Sequence, residues 1–132
     1  MIVDTSAIVA ILREEADYDR FVRALVEASV SRMSAASSLE TAIVIDRNGG
    51  PVLSRRLDQL LERAGIESVD VTTEQVKVAR AAYRDFGKGS GHPAQLNFGD
   101  CFSYALAKVT SEPLLFKGND FVHTDVAPAV RR

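Results

Sequence analysis

Apolar residues recur along this chain in two rhythms. The first is the short, unbroken apolar run: Met1-Ile2-Val3 at the start, and Leu114-Leu115-Phe116 behind Pro113 near the end. Runs this short, rich in branched residues and bounded by turn formers, read as strands buried on both faces. The second rhythm is the three-and-four spacing of amphipathic helices. Ile8, Ile11 and Leu12 share one face of a short helix. From about residue 17, Tyr18, Phe21, Val22, Leu25 and Val26 form a stripe opposite Asp19, Arg20, Arg23 and Glu27.

Residues 30–34, partly β-branched and set between two helical patterns, predict a second strand that ends at Ala35 and Ala36. Residues 37–48 predict the next helix. Pro51, in a first-turn position, opens another through Leu53, Leu57, Leu60 and Leu61, which Gly65 closes in the left-handed conformation. Residues 66–71 then give a third strand. Thr73 is placed to cap a helix carrying Val76, Ala79, Tyr83 and Phe86, stopped by Gly87. Beyond a glycine-rich loop, Phe98, Cys101, Phe102, Ala105, Leu106 and Val109 make the cleanest amphipathic helix, and residues 114–116 the fourth strand. Short buried strands alternating with helices predict an α/β architecture, a parallel sheet covered on both faces and joined by right-handed crossovers.

Composition narrows the function classes. With 132 residues and 46% hydrophobic content, the chain can build one ordinary domain with a real core. No apolar run approaches the roughly 20 residues that span a bilayer, and the N-terminus lacks the pattern of a secretory leader, so a cytoplasmic protein without a membrane role is expected. The single cysteine, Cys101, with only His92 and His123, excludes a disulfide framework and a zinc cluster. A net charge of −2 is not that of an ordinary nucleic-acid binder.

In an open parallel sheet, the segments that leave the strand carboxyl ends converge on one crevice. The polar residues expected there are acidic. Asp4 follows the first strand, Glu40 lies early in the helix after the second, Asp100 opens the helix before the fourth, and Asp120 follows that strand. Each also has a purely structural reading. Asp4, Thr5 or Ser6 suits a helix cap, and Ser37-Ser38-Leu39-Glu40 matches a capping box. Asp100, three residues after Asn97, complements a helix dipole, and Asp120 follows Gly118 and Asn119 in a turn. Those readings leave the convergence unexplained. Carboxylates about 4 Å apart repel by roughly 4 kcal/mol at an effective dielectric of 20, so a cluster needs protons or a cation. Oxygen-only ligands favour a hard ion such as Mg²⁺ or Mn²⁺, and hydrolysis of a phosphodiester by metal-activated water suits the arrangement.

Four segments carry a resemblance that covers nearly the whole chain. Ile2-Val3-Asp4-Thr5-Ser6-Ala7, Ser34-Ala35-Ala36-Ser37-Ser38-Leu39-Glu40, Leu96-Asn97-Phe98-Gly99-Asp100-Cys101 and Phe116-Lys117-Gly118-Asn119-Asp120-Phe121 resemble, in that order, the motifs of PIN-domain ribonucleases. More narrowly, the chain resembles the VapC toxins of type II toxin–antitoxin pairs. The resemblance implies one PIN domain over residues 1–132, a three-layer α/β/α fold on a parallel sheet of four to five strands, and a fifth strand at residues 121–127. It implies Mg²⁺-dependent endonucleolytic cleavage of structured RNA such as tRNA or rRNA, with Mn²⁺ as a substitute, and inhibition by a cognate VapB antitoxin. Position by position, Asp4, Glu40, Asp100 and Asp120 match the acidic quartet. Asn119 stands beside the last of these as a candidate to share its role, and Ser6 matches a hydroxyl that supports the site.

With two divalent ions bound, the formal balance moves from −2 to about +2. Arg13, Lys88, Lys108 and Lys117 lie near element ends that flank the crevice, whereas Arg20, Arg23, Arg55 and Arg56 read as solvated helix faces. No aromatic residues interleave with them, so the sequence supports no base-specific readout. Ile8, Ile11, Val44, Ile45, Leu57 and Leu61 are a candidate surface for a homodimer or an antitoxin helix, with core packing as the plainer account. Gly87-Lys88-Gly89-Ser90-Gly91 lacks the Ser or Thr of a P-loop and reads as a mobile loop. Cys101 reads as a packed small residue, His123 as a solvated loop residue, and Val130-Arg131-Arg132 as a loose end.

Two other classes compete with a nuclease. A phosphatase of the haloacid-dehalogenase type also places Asp after a first strand, but needs a second Asp where this chain has Ser6. A catalytically inactive PIN-like module would bind RNA or a partner without cutting.

Overall fold

The structure, a computed structural model, describes residues 1–131. Four parallel strands lie in the order β3-β2-β1-β4: β1 (Ile2–Val3), β2 (Ser31–Ser34), β3 (Ile66–Val69) and β4 (Leu114–Leu115). Six helices connect them: α1 (Thr5–Leu12), α2 (Tyr18–Glu27), α3 (Ala35–Asn48), α4 (Gly50–Arg63), α5 (Thr73–Phe86) and α6 (Phe98–Thr110).

The two-residue strands at the centre divide the core by simple alternation. Ile2 and Leu114 point to one side, where they meet Leu96, Cys101, Tyr104 and Leu106. Val3 and Leu115 point to the other, against Ile8, Phe21, Met33, Ile45 and Leu57. All four strand residues are fully buried, so both faces of this parallel sheet are covered by helices. The three-layer α/β/α arrangement expected from the hydrophobic pattern is therefore the one observed.

The strand order positions the crevice. From β1 the chain moves outward through β2 to β3, then returns to place β4 on the opposite side of β1. That reversal creates a switch point between β1 and β4, and ligands of open α/β sheets bind beyond the strand carboxyl ends at such points. Asp4 leaves β1 there, its amide bonded to the Leu115 carbonyl at 2.9 Å.

Several expected boundaries move for local reasons. Helix α3 starts at Ala35, directly after β2, and Ser34 makes no side-chain cap bond, so the Ser37–Glu40 capping box does not form. Thr72, not Thr73, caps α5 by accepting a bond from the Gln75 amide. The strand expected at residues 121–127 is absent: Thr124 folds back on the Phe121 carbonyl, and the chain reaches the sheet only at Pro128, a single parallel bridge to Leu114. Proline has no N–H to extend that ladder. Gly65 takes its expected left-handed conformation, φ 63°. Within the expected loose end, Val130 packs partly against the α1 and α2 side, and Arg132 lies outside the described residues.

The aliphatic excess of the early helices is largely core. Ile8, Ile45 and Leu57 are buried, while Ile11, Val44 and Leu61 are half-buried. The exposed apolar residues are others, among them Val26, Leu39, Ile43, Val52, Val76 and Phe98. No helix among the described residues is long and apolar enough to cross a membrane.

Candidate active site

Asp4 is buried at 3% exposure, which for a carboxylate requires compensation. Three donors supply it. The Ser6 amide and hydroxyl bond to Oδ2 at 3.0 and 2.7 Å, and the Ser103 hydroxyl bonds to Oδ1 at 2.5 Å. Asp4 is thus the N-cap of α1, as its structural reading held, and also the link between β1 and α6. Ser6 has a second task. Its hydroxyl oxygen accepts the Lys117 amide at 3.0 Å, tying the exit of β4 to the exit of β1.

Asp100 lies one helical turn before Ser103 on α6, so the two share a face. The structural reading again holds in full: Asn97 and Asp100 form a capping box, with reciprocal bonds of 2.8 and 3.0 Å. Yet Asp100 is only 9% exposed, and burial pushes its carboxyl up to about 7. The Asn97 amide works against that rise, while the charges of Asp4 and Asp120 and a hydrogen bond to Asp120 add to it. Asp120 itself is exposed.

Glu40 approaches from α3. The Thr5 hydroxyl donates to its Oε1 at 2.8 Å, and Thr41 donates to the Thr5 oxygen at 2.9 Å. Gly99 lets α6 come this close, since a Cβ there would stand on the Glu40 carboxylate. Asp4, Asp100 and Asp120 therefore form one electrostatic group, and Glu40 borders it across Gly99.

Among the described residues, no three carboxylate, imidazole or thiol groups form a ready-made metal cage. The donor set nevertheless fits a hard divalent ion. Mg²⁺ keeps most of its waters and binds through one or two carboxylates, so a tight protein cage is not required. The charge that Asp100 resists carrying is the charge such an ion would neutralise.

Several residues escaped the sequence reading. Ser103 carries no motif of its own, and only its place three residues after Asp100 marks it. Thr5, Ser37 and Thr41 form a polar chain behind Glu40, with Ser37 Oγ 3.2 Å from Ser103 Oγ. The basic residues divide differently from expectation. Lys117 lies at the site and pairs with Glu15 at 3.0 Å, but Lys108 sits at the far end of α6, paired with Asp125 at 3.1 Å. Arg13 and Lys88 are exposed. Cys101 is buried, and desolvation raises its thiol to about 11, so it is packing and not a nucleophile. His123 is exposed, and the loop at residues 87–91 is closed by a bridge between Gly87 and Leu96.

Known proteins share this chain's sequence and fold. The PIN domain family profile matches residues 1–127. Ribonuclease VapC28 of Mycobacterium tuberculosis is 60% identical over 132 residues, covering 100% of this chain and 99% of the relative. Ribonuclease VapC42 of the same species is 53% identical over 129 residues, 98% of each chain. Two solved structures share the fold at low identity. The crystal structure of Mycobacterium tuberculosis VapC20, described as a Sarcin-Ricin loop cleaving toxin, has a TM-score of 0.75 at 18% identity, over 99% of this chain and 98% of that one. A toxin-antitoxin complex from Klebsiella pneumoniae has a TM-score of 0.72 at 11% identity, over 99% and 98%. PIN-domain nucleases depend on divalent metal, in keeping with an all-oxygen donor set. With its strand order, its acidic switch point and these relatives, the chain belongs to the PIN-domain family and, within it, to the VapC ribonucleases.

Proposed function

We propose that Asp4, Glu40, Asp100 and Asp120 hold Mg²⁺, with Mn²⁺ able to substitute, and that this site cuts structured RNA, a tRNA or an rRNA. The observation that carries the reading is the approach of Asp4 and Asp120 to Asp100 at the sheet's switch point, where burial and their charges push the Asp100 carboxyl to about 7. When bound, the cation supplies an activated water and neutralises charge on the phosphodiester.

The protein's own residues supply the rest. Ser6 and Ser103 fix both oxygens of Asp4, so its orientation is set before any ligand arrives. Thr5 does the same for Glu40. Burial and the neighbouring charges of Asp4 and Asp120 disfavour a charge on Asp100, a penalty that a bound cation would offset. Asn119 and Ser6 stand beside this group in supporting positions.

In this reading residues 1–132 act as one domain, in the cytoplasm, as a homodimer. A VapB-type antitoxin silences it. An apolar cleft of about 310 Å³ beside Glu40, walled by Leu39, Ile43 and Phe102, suits side chains of an antitoxin helix. A basic residue of that partner would then reach the carboxylates.

The test is cleavage of purified total tRNA and rRNA by wild type, D4N and D100N, each with Mg²⁺, Mn²⁺ or EDTA. Cutting by wild type alone, and only with a cation, is expected. Equal cutting by either variant would reject the assignment of these residues.

A further inference from the structure

Helix α6 carries a polar row down one face. Asp100, Tyr104 and Lys108 stand four residues apart, so their side chains fall one above another along the helix. All three face the segment of chain that leaves β4. Asp120 comes within hydrogen-bond reach of Asp100. One turn further along, the Tyr104 hydroxyl donates to Asp125 Oδ1 at 2.5 Å, and Lys108 Nζ donates to Asp125 Oδ2 at 3.1 Å.

That segment lies outside the strands and is held together by local bonds. The Val122 amide donates to the Asn119 carbonyl at 3.2 Å, and the Thr124 amide and hydroxyl donate to the Phe121 carbonyl at 3.1 and 2.7 Å. Upstream, the Lys117 amide is tied to Ser6, but Gly118, at φ 101°, and Asn119 separate that tie from Asp120. The Phe121 ring is buried in the core, an apolar contact that fixes how deep the turn sits without fixing its direction. A turn bonded within itself and seated on one ring can pivot about that ring. A second, directional attachment stops the pivot, and Asp125 provides it.

The two bonds of Asp125 differ in weight. The Lys108 and Asp125 side chains are 38% and 58% exposed, and such an ion pair contributes little in water. Tyr104 is only 6% exposed, so its hydroxyl needs an acceptor, and a hydroxyl on a carboxylate makes one of the stronger hydrogen bonds. The Tyr104 bond also holds the Asp125 carboxyl below the usual carboxylate range, which keeps the acceptor ionised.

We propose that Tyr104 and Asp125 are positioning residues of the acidic site: their bond locks the turn at residues 119–125 against α6 and keeps Asp120 beside Asp100, where a cation would be held. This role rests on the cation reading of the site, whereas the lock itself rests on the geometry of α6 and the turn.

Tyr104→Phe keeps the ring against Phe86 and removes only the donor, and the exposed Asp125 can then turn to water, so the fold is retained. In EDTA, hydrogen exchange followed by NMR should be about five-fold faster at the Val122 and Thr124 amides in Tyr104→Phe and Asp125→Ala than in wild type, and unchanged at Lys117. Asp125→Asn, which still accepts from the phenol, should exchange like wild type, and so should Lys108→Ala. Mn²⁺ binding, measured by calorimetry, should weaken about five-fold in Tyr104→Phe and Asp125→Ala. In an Asp120→Asn background, Tyr104→Phe should weaken it no further, because the lock acts through Asp120. An equal further loss in that background would mean that Tyr104 acts by another route and would overturn the proposal. So would exchange and Mn²⁺ affinity in Tyr104→Phe that match wild type. If wild type takes up no Mn²⁺, the cation reading fails and the positioning role with it, while the exchange rates still decide whether the lock exists.

Discussion

Replacing Asp100 with asparagine should stabilise the metal-free protein, although the residue sits in its acidic site. The carboxyl rises from 3.8 to about 7 on folding, mainly through burial. A difference of about 3 units corresponds to a ceiling on the order of 4 kcal/mol at 1.36 kcal/mol per unit. The effective dielectric of a site near the surface lowers that ceiling, so roughly half of it is the expectation.

Asparagine keeps the capping box, because its side-chain oxygen still accepts the Asn97 amide. The sign follows from linkage. A group with a raised folded value destabilises nothing below its unfolded value, and its cost grows as pH climbs towards the folded one. The advantage of D100N should therefore be absent near pH 4, grow up to pH 7 and stay level above it. A gain of about 2 kcal/mol corresponds to roughly 5–10 °C in a domain of this size. Calorimetry in EDTA at pH 4, 5.5 and 8 measures it directly. If D100N melts below the wild type at pH 8, the buried charge is stabilising and the electrostatic argument for the site is wrong.

Other perturbations reach the same network from different sides. Ser103→Ala removes the donor to Asp4 Oδ1 and should cost about 2 kcal/mol in urea unfolding, while slowing RNA cleavage. Gly99→Ala forces a methyl group onto the Glu40 carboxylate, for an expected loss of roughly 1–3 kcal/mol; adding Glu40→Ala should recover part of that stability without recovering activity. Leu115→Ala, at a fully buried strand position, should cost about 2–5 kcal/mol by the same measurement. Cys101, raised to about 11, should resist iodoacetamide at pH 8 in the native state and react once unfolded, as mass spectrometry would show.

The hydrophobic pattern carried most of this architecture. Two fully apolar dipeptides, Ile2-Val3 and Leu114-Leu115, can be buried on both faces only at the centre of a parallel sheet, and the helices between them supply the cover. Local chemistry near element ends was less legible. Residues 37–40 spell a capping box, but β2 hands directly to α3 and the box falls inside the helix, which frees Glu40 to meet Thr5. The strand expected over residues 121–127 gave way to a turn held by Thr124, a contact that no periodicity announces.

For Asp4 and Asp100 the structural readings hold, and they leave room for the proposed chemistry. Asp4 caps α1, Asp100 closes the capping box of α6 with Asn97, and these bonds are part of how each is aimed. The bond of Ser103 to Asp4 and the approach of Gly99 to Glu40 were invisible for one reason: their significance lies in what faces them across helix interfaces. Sequence spacing reports only the face a residue occupies.

The central claim is that the gathered carboxylates are a cation site. Titrating Mn²⁺ into wild type, D4N and D100N at pH 8, followed by calorimetry, tests it most directly. Saturable binding to wild type, weakened at least ten-fold in both variants, is the expected result. Binding of equal strength in all three would place the ion elsewhere and contradict the account.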